Sequence, residues 1–380
     1  VGPIAELYHR AFTADNETGK KRNKALALKL YEWLADVQPM STPGYDRLDE
    51  MWREACERLP HLLAVNGRLG EVRAALTRNP AKPVALLSVC GTLKDEEERP
   101  EDALKLARAV LKEEPHHEDA LDYLLEDARE RSAYAESLDF LERMPKEQRA
   151  RHAFHEAWCL YSLERYAEAS KRLEGAGWSE QTLRGDALEA MGRVREARAA
   201  WQRALKAHDA ELAKVPASGW HHASRAALLV KLGRTGDARA AVTSALGLER
   251  PEQQCVQHAL GLVCLAEGDS AGAVKALQTA VDATPDVEHA RFDLARALAG
   301  AGQAKRAGAE AAAAAKMSKD VACASRFGSL VSSLAARPPA SQSSSSPRRR
   351  ARVLSPTRLA ACAFASRATT RSRATDSSTP

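Results

Sequence analysis

The chain has 380 residues, of which 44% are hydrophobic and 28% charged, a composition typical of folded rather than disordered proteins. Aromatic residues account for only 5%, which disfavours one large β-structure, and no run of 18 apolar residues predicts a transmembrane helix. The formal net charge is +5, but residues 337–380 carry +8 and residues 1–336 carry −3, which disfavours a phosphate-binding role for the folded part.

Residues 1–83 predict helices without a regular repeat. Apolar periodicity predicts a helix over 24–37, with Leu26, Leu30, Trp33 and Leu34 on one side, and a helical pair over 46–59 and 62–76 with Gly67 at its break. We interpret residues 1–83 as degenerate N-terminal helical hairpins. The start of the chain shows no basic segment followed by an apolar core, so we expect no secretory signal and a cytoplasmic location. Because the first residue is Val1, this expectation leaves open a segment upstream.

One helical hairpin recurs over residues 84–317. A small residue opens its second helix, and we call these positions the anchors: Ala103, Ser137, Ala169, Ala197, Ala238, Ala273 and Ala307. They are spaced by 34, 32, 28, 41, 35 and 34 residues. The spacing of 41 predicts an extended unit, with a longer helix in the segment 206–219. Small residues twelve positions before most anchors should let the two helices approach closely, and residues four positions after each anchor should fill the groove between hairpins. Glycines five positions before four anchors predict left-handed turns: Gly192, Gly233, Gly268 and Gly302.

These positions resemble the tetratricopeptide repeat. The best matches are Leu260-Gly261 with Gly268, Ala273, Leu277, Ala280 and Pro285, and the run over 232–238. The resemblance implies an all-α, right-handed solenoid of about seven to eight antiparallel hairpins that binds proteins and has no catalytic activity. The Tyr and Trp residues that this repeat usually carries in its helices are often missing here. A capping helix is predicted over 318–336, where Phe327, Leu330, Val331 and Leu334 share one face, and a disordered Ser/Arg-rich tail over 337–380.

Catalytic and cofactor motifs are absent from the sequence. It contains neither a phosphate-binding glycine loop nor the H-E-x-x-H zinc motif, and none of the seven cysteines forms a C-x-x-C pair. The Arg184-Gly185-Asp186 tripeptide lies inside a predicted helix, where Gly185 takes a packing position rather than presenting an adhesion motif. We therefore expect no enzyme activity, no cofactor and no metal site.

The resemblance implies that the first helix of each hairpin lines a concave groove, which we expect to hold a peptide or a partner helix. The groove positions combine an acidic section with an aromatic one: Asp119, Asp122, Glu126, Phe154, Trp158, Tyr161, Trp220, His258, Phe292 and Arg296. Aromatic side chains with a polar rim are typical of binding hot spots. Alternatively, Trp158 and Tyr161 pack between hairpins.

The identity of the partner is open. Relatives that clamp the C-terminal carboxylate of chaperones use asparagines on successive first helices, whereas every asparagine here precedes the regular array, so we do not expect a chaperone tail. We expect no membrane partner, and nucleic acid only at the basic tail. Two other functions stay open: an RNA-associated array, since residues 196–205 resemble a helix of half-a-tetratricopeptide repeats, and a regulatory domain of an enzyme whose catalytic part lies elsewhere.

Overall fold

The computed structural model describes residues 2–16, 23–36, 46–79, 81, 83–173, 175, 177–248, 253–285 and 288–317. Within these ranges the regular structure is helical, and no strand occurs among them. This confirms the predicted all-α class. The predicted capping helix over 318–336 and the predicted tail over 337–380 lie outside the described residues.

The helices follow one another with short connections. In chain order they are α1 (Gly2–Asn16), α2 (Lys24–Asp36), α3 (Asp46–Val65), α4 (Leu69–Leu76), α5 (Leu86–Gly91), α6 (Pro100–Glu113), α7 (Glu118–Glu130), α8 (Tyr134–Arg143), α9 (Lys146–Arg151), α10 (Ala153–Ser162), α11 (Tyr166–Arg172), α12 (Trp178–Ala190), α13 (Val194–Leu212), α14 (Gly219–Lys231), α15 (Thr235–Leu246), α16 (Gln253–Glu267), α17 (Ser270–Ala283), α18 (Glu288–Gly300) and α19 (Ala304–Met317). A π-helical turn, Thr92–Glu96, extends α5.

The chain divides into two compact units. The first consists of Val1–Glu130 and Asp139–Arg151, and the second of Arg131–Leu138 and His152–Pro380. In the first unit α2 packs on α1 and α3, and α4 packs on α3. In α2 the inward face is formed by Ala27, Leu28, Tyr31, Leu34 and Ala35. The prediction that Leu26 and Trp33 share the inward face of Leu34 is therefore wrong, because both side chains are exposed.

In the second unit each hairpin pairs two helices: α10 with α11, α12 with α13, α14 with α15, α16 with α17, and α18 with α19. Successive hairpins also contact each other, for example α13 with α14 and α17 with α18. A hairpin of this size cannot bury its apolar face alone, so stacking supplies the core. The predicted solenoid of stacked antiparallel hairpins is confirmed.

The repeat positions explain how the hairpins close. All seven anchors are buried, each with at most 3% of its surface exposed. Twelve positions before their anchors, Gly185 and Gly261 touch the residues four positions after those anchors. A Cβ at Gly185 would come within 2.4 Å of the Trp201 ring, and a Cβ at Gly261 within 2.4 Å of Leu277. Glycine is needed at both positions because the facing side chain fills the space.

The turns between paired helices share one backbone conformation. The four predicted glycines have φ between 75° and 83°. The same position of three other hairpins holds Glu98, Ser132 and Glu164, with φ of 54°, 56° and 62°. Non-glycine residues rarely adopt this left-handed conformation. The hairpin geometry therefore imposes the turn even where the glycine signal is missing.

The irregular spacings also have a structural cause. The spacing of 28 follows a short second helix, α11, of 7 residues. The spacing of 41 follows α13, which has 19 residues and reaches Leu212, so the predicted longer helix is confirmed. None of the described helices is long and apolar enough to cross a membrane.

Candidate partner-binding surface

The predicted acidic residues lie on α7 of the first unit. Asp119, Asp122 and Glu126 are partly exposed and lie on one side of the helix, since they are three or four positions apart. Glu126 accepts a hydrogen bond from Arg129 of the same helix. At the C-terminal end of α7, Glu130 lies 3.5 Å from the ammonium group of Lys94. The helix therefore presents a carboxylate-rich face.

The predicted aromatic residues lie on α10 of the second unit, where they differ in exposure. Phe154 and Trp158 are partly exposed, whereas Tyr161 has only 2% of its surface exposed. The Tyr161 ring packs edge-on against Tyr166 of α11, with centroids 5.2 Å apart, and lies 6.4 Å from Trp158. Tyr161 thus packs between the two helices of its own hairpin, whereas the alternative interpretation places it between hairpins. Phe154 and Trp158 retain surface that a partner could contact.

Two other predicted residues, His258 and Arg296, both contact the carboxyl group of Asp293. His258 is 4% exposed, and its Nε2 lies 3.0 Å from one oxygen of the buried Asp293 carboxyl. Arg296 donates to the other oxygen at 2.7 Å. Burial acts to raise the pKa of Asp293, but the His258 hydrogen bond and the Arg296 charge outweigh it and lower that pKa to about 2. The carboxylate is therefore ionised at neutral pH and joins α16 to α18.

A second buried charged contact joins α12 to α14. Lys231 Nζ lies 2.7 Å from Asp186 Oδ1, and their side chains are 3% and 0% exposed. Trp201 donates its indole N–H to the same oxygen at 3.0 Å. Asp186 belongs to the Arg-Gly-Asp tripeptide, so its burial agrees with the packing interpretation of that motif.

Sequence reasoning missed a cluster of aromatic and histidine rings around the ends of α12, α13 and α14. The centre of the His208 ring lies 4.7 Å from that of Trp178 and 5.6 Å from that of His221. The centre of the Trp178 ring lies 5.5 Å from that of the predicted residue Trp220. His208 is fully buried, and neither ring nitrogen has a hydrogen-bond partner among the described residues. Burial, with a smaller contribution from His221, lowers the pKa of His208 to about 4. The ring is therefore neutral at pH 7.

The remaining predicted residue of this surface, Phe292 on α18, is partly exposed. First helices of the second unit therefore present at least one partly exposed aromatic side chain on α10, α14 and α18. At the position of Phe154, α12 and α14 have the buried residues Thr182 and Ala223, and at the position of Trp158, α16 has the buried Leu262. The face offers separate aromatic contacts rather than one continuous apolar strip.

Metal-ligand clusters and cysteine thiols were both candidates for reactive groups in the described part of the chain. Within it, no group of three or more His, Cys, Asp or Glu side chains could hold a metal ion. Five cysteines there are free and buried, and burial raises the pKa of Cys56 to about 11 and that of Cys90 to about 12. Both thiols are protonated at neutral pH and are poor nucleophiles.

Stacked helical hairpins with partly exposed aromatic and acidic faces define a helical-repeat protein of the interaction-scaffold class. Residues 182–248, 224–288 and 258–322 match the family model described as the tetratricopeptide repeat. The match confirms, over residues 182–322, the resemblance to this repeat that the sequence pattern predicts. No curated protein matches the chain.

Solved structures with a similar arrangement include the yeast Tom70, at 11% identity, covering 88% of this chain and 96% of that one with a TM-score of 0.36. A tetratricopeptide repeat protein from Parabacteroides merdae shares 15% identity, with 78% and 100% coverage and a TM-score of 0.28. The tetratricopeptide repeat domain of P58(IPK) shares 16% identity, with 88% and 94% coverage and a TM-score of 0.27. At these values we transfer no function from the three proteins.

Proposed function

We propose that the chain is a non-catalytic scaffold that binds a peptide or a helix of a protein partner on its first helices. In the second unit, Phe154 and Trp158 supply the main apolar contacts to the partner. In the first unit, Asp119, Asp122 and Glu126 attract its basic residues. One observation carries the proposal. Phe154 and Trp158 are four positions apart on α10 and keep partly exposed rings, while Ala157 and Leu160 bury the other side of that helix.

Such a pair suits recognition because aromatic side chains bury a large area while few rotamers are lost. Trp220 and Phe292 extend the same type of contact to α14 and α18. The Tyr161 ring lies 6.4 Å from the Trp158 ring, centre to centre, and His258 and Arg296 both bond to Asp293. We also propose a reducing compartment such as the cytoplasm, where free buried cysteines persist as thiols.

The test compares binding and stability in one variant. Partners are captured with the full chain, identified, purified and titrated against Trp158→Ala. We expect this change to weaken binding by about 2 kcal/mol or more, as truncation of a hot-spot residue does. Trp33→Ala is the matched control, because Trp33 is an exposed tryptophan on α2 outside the proposed surface. Trp158→Ala that binds normally but melts far earlier would refute the proposal.

The acidic face is tested separately. Replacing Asp119, Asp122 and Glu126 by their amides should mainly slow association, since exposed charges steer encounter, and added salt should shrink the difference. Stopped-flow mixing at two salt concentrations measures both effects. Tighter binding of an RNA oligonucleotide than of any captured protein would favour the RNA-associated alternative.

A further inference from the structure

A cavity of about 320 Å³ lies in the second unit, and none of its lining residues belongs to the surface proposed above. One wall is α13, which contributes Arg198, Lys206 and Asp209, and the other is the turn between α14 and α15, which contributes Arg234. Leu205 and Leu232 also line it and are mostly buried. The cavity thus combines an apolar floor with a charged rim.

The charges of the rim do not balance. Its one carboxylate, Asp209, is engaged at 2.7 Å by Arg225. Arg234 pairs with Asp237, the acid of its own helix start, and both side chains are about half exposed. Arg198 reaches only the backbone carbonyl of Leu232, at 3.4 Å, and neither Arg198 nor Lys206 meets a carboxylate among the described residues. The rim therefore carries excess positive charge.

We call the contact between the second helix of one hairpin and the next hairpin a junction. At the junction that follows the cavity, an arginine equivalent to Arg198 has an acidic partner. Arg239 follows its anchor Ala238 by one position, as Arg198 follows Ala197. Arg239 donates to Glu267 of the next hairpin, with Nε 3.2 Å from Oε1. Glu267 directly precedes its turn glycine, and the residue in that place beside Arg198 is Leu232.

The two junctions also differ two positions further along the chain. Two positions after Glu267 comes Asp269, which caps α17 by accepting from the backbone N–H of Gly272 at 2.8 Å. The corresponding residue at the cavity is Arg234. Compared with the next junction, the cavity junction therefore has the same arginine, a leucine where that junction has the acid that neutralises it, and a cation where that junction has an acid.

A second cation of the cavity rim, Lys206, lies further along α13. Arg198 and Lys206 are eight positions apart, which is about 12 Å along a helix. An extended peptide spans that distance in about four residues. Two acidic side chains about four positions apart, with an apolar residue between them, fit the cation spacing and the leucine floor.

We propose that this cavity binds an acidic segment of a protein partner, in which one carboxylate takes the place beside Arg198 that Glu267 takes beside Arg239. The second carboxylate reaches Lys206, and the intervening apolar side chain covers Leu205 and Leu232. The observed glutamate at the equivalent junction and the apolar floor favour a peptide over a nucleic acid.

The probe is a fluorescein-labelled heptapeptide with two glutamates four positions apart around a central leucine, titrated against the full chain by fluorescence anisotropy. We expect Arg198→Gln with Lys206→Gln to weaken binding about tenfold or more, since each loses a charge-assisted hydrogen bond. Arg195→Gln is the matched control, because Arg195 is exposed on the same helix and does not line the cavity.

Arg234→Asp reproduces the residue of the next repeat and should abolish binding of this probe while a thermal melt stays close to wild type. The same peptide with glutamines in place of glutamates should bind at least tenfold more weakly. Equal binding of both peptides, equal loss in Arg195→Gln, or displacement of the probe by a single-stranded RNA oligonucleotide at lower concentration than by unlabelled peptide would overturn the proposal.

Discussion

Replacing Lys231 by methionine should destabilise the fold far more than its position at the end of α14 suggests. Its ammonium group lies 2.7 Å from Asp186 and 5.6 Å from the centre of the Trp201 ring, and only 3% of the side chain is exposed. The variant keeps the length of the side chain and removes the charge, which leaves the Asp186 carboxylate buried without its counter-ion. Breaking a buried ion pair from one side costs about 3–5 kcal/mol.

A double-mutant cycle identifies the pair as the cause. Asp186→Asn retains an oxygen that can accept from Trp201, so the double variant Asp186→Asn with Lys231→Met buries a neutral amide in place of a carboxylate that has lost the Lys231 ammonium group. We expect the double variant to be about 1–3 kcal/mol more stable than Lys231→Met alone, because residues of one buried network do not contribute additively. Urea denaturation followed by circular dichroism measures each free energy of unfolding.

Lys275→Met is the control, because Lys275 is exposed on α17 and a surface change of this type stays within about 0.5 kcal/mol. A Lys231→Met protein within about 1 kcal/mol of wild type, or costs that simply add in the double variant, would refute this account of the junction.

Two further predictions concern packing and pH. Gly185→Ala should cost about 1–3 kcal/mol of stability because its Cβ would meet the Trp201 ring. Gly308→Ala, with nothing within 4 Å of the new Cβ, should stabilise α19 by about 0.5–1 kcal/mol. Thermal melts that give equal shifts for the two variants would contradict this. Lowering the pH from 7 to 5 should cost about 2 kcal/mol through His208, because the unfolded chain takes up the proton near pH 6.5 and the folded one only near pH 4. His208→Phe should remove that part of the loss, as urea denaturation at both pH values would show.

Most of the array could be predicted because its signals are local and repeated. Alanine at six of the seven anchors reports a close helix approach, and a glycine five positions before four of them reports a left-handed turn. Three of the six anchor spacings are 34 or 35 residues. The turns at Glu98, Ser132 and Glu164 could not be recognised this way, since their residue types favour other conformations. There the packing of paired helices imposes the backbone.

The candidate surface was less predictable, because a helix face derived from sequence does not show which of its positions a neighbouring helix covers. Tyr161 and His258 share the face of Trp158 in the pattern, yet α11 covers one and Asp293 of α18 engages the other. The ring cluster around His208 depends on where the extension of α13 ends in space. Only the unusual spacing of 41 signalled that this junction differs from the rest.

Alanine anchors explain why the hairpins stack, but they do not explain why each hairpin stacks on its own neighbour. Small apolar faces are nearly interchangeable, so an array built from them alone would tolerate slipped or exchanged pairings. The polar contacts differ from one junction to the next: Lys231 with Asp186 between α12 and α14, His258 with Asp293 between α16 and α18, and Arg239 with Glu267 between α15 and α16. A slipped pairing would bury Lys231, Asp186 and Asp293 away from these contacts, at a cost of several kcal/mol. We interpret these contacts as the feature that sets the order of the hairpins, and the unneutralised Arg198 as the junction at which the same chemistry is open to another molecule.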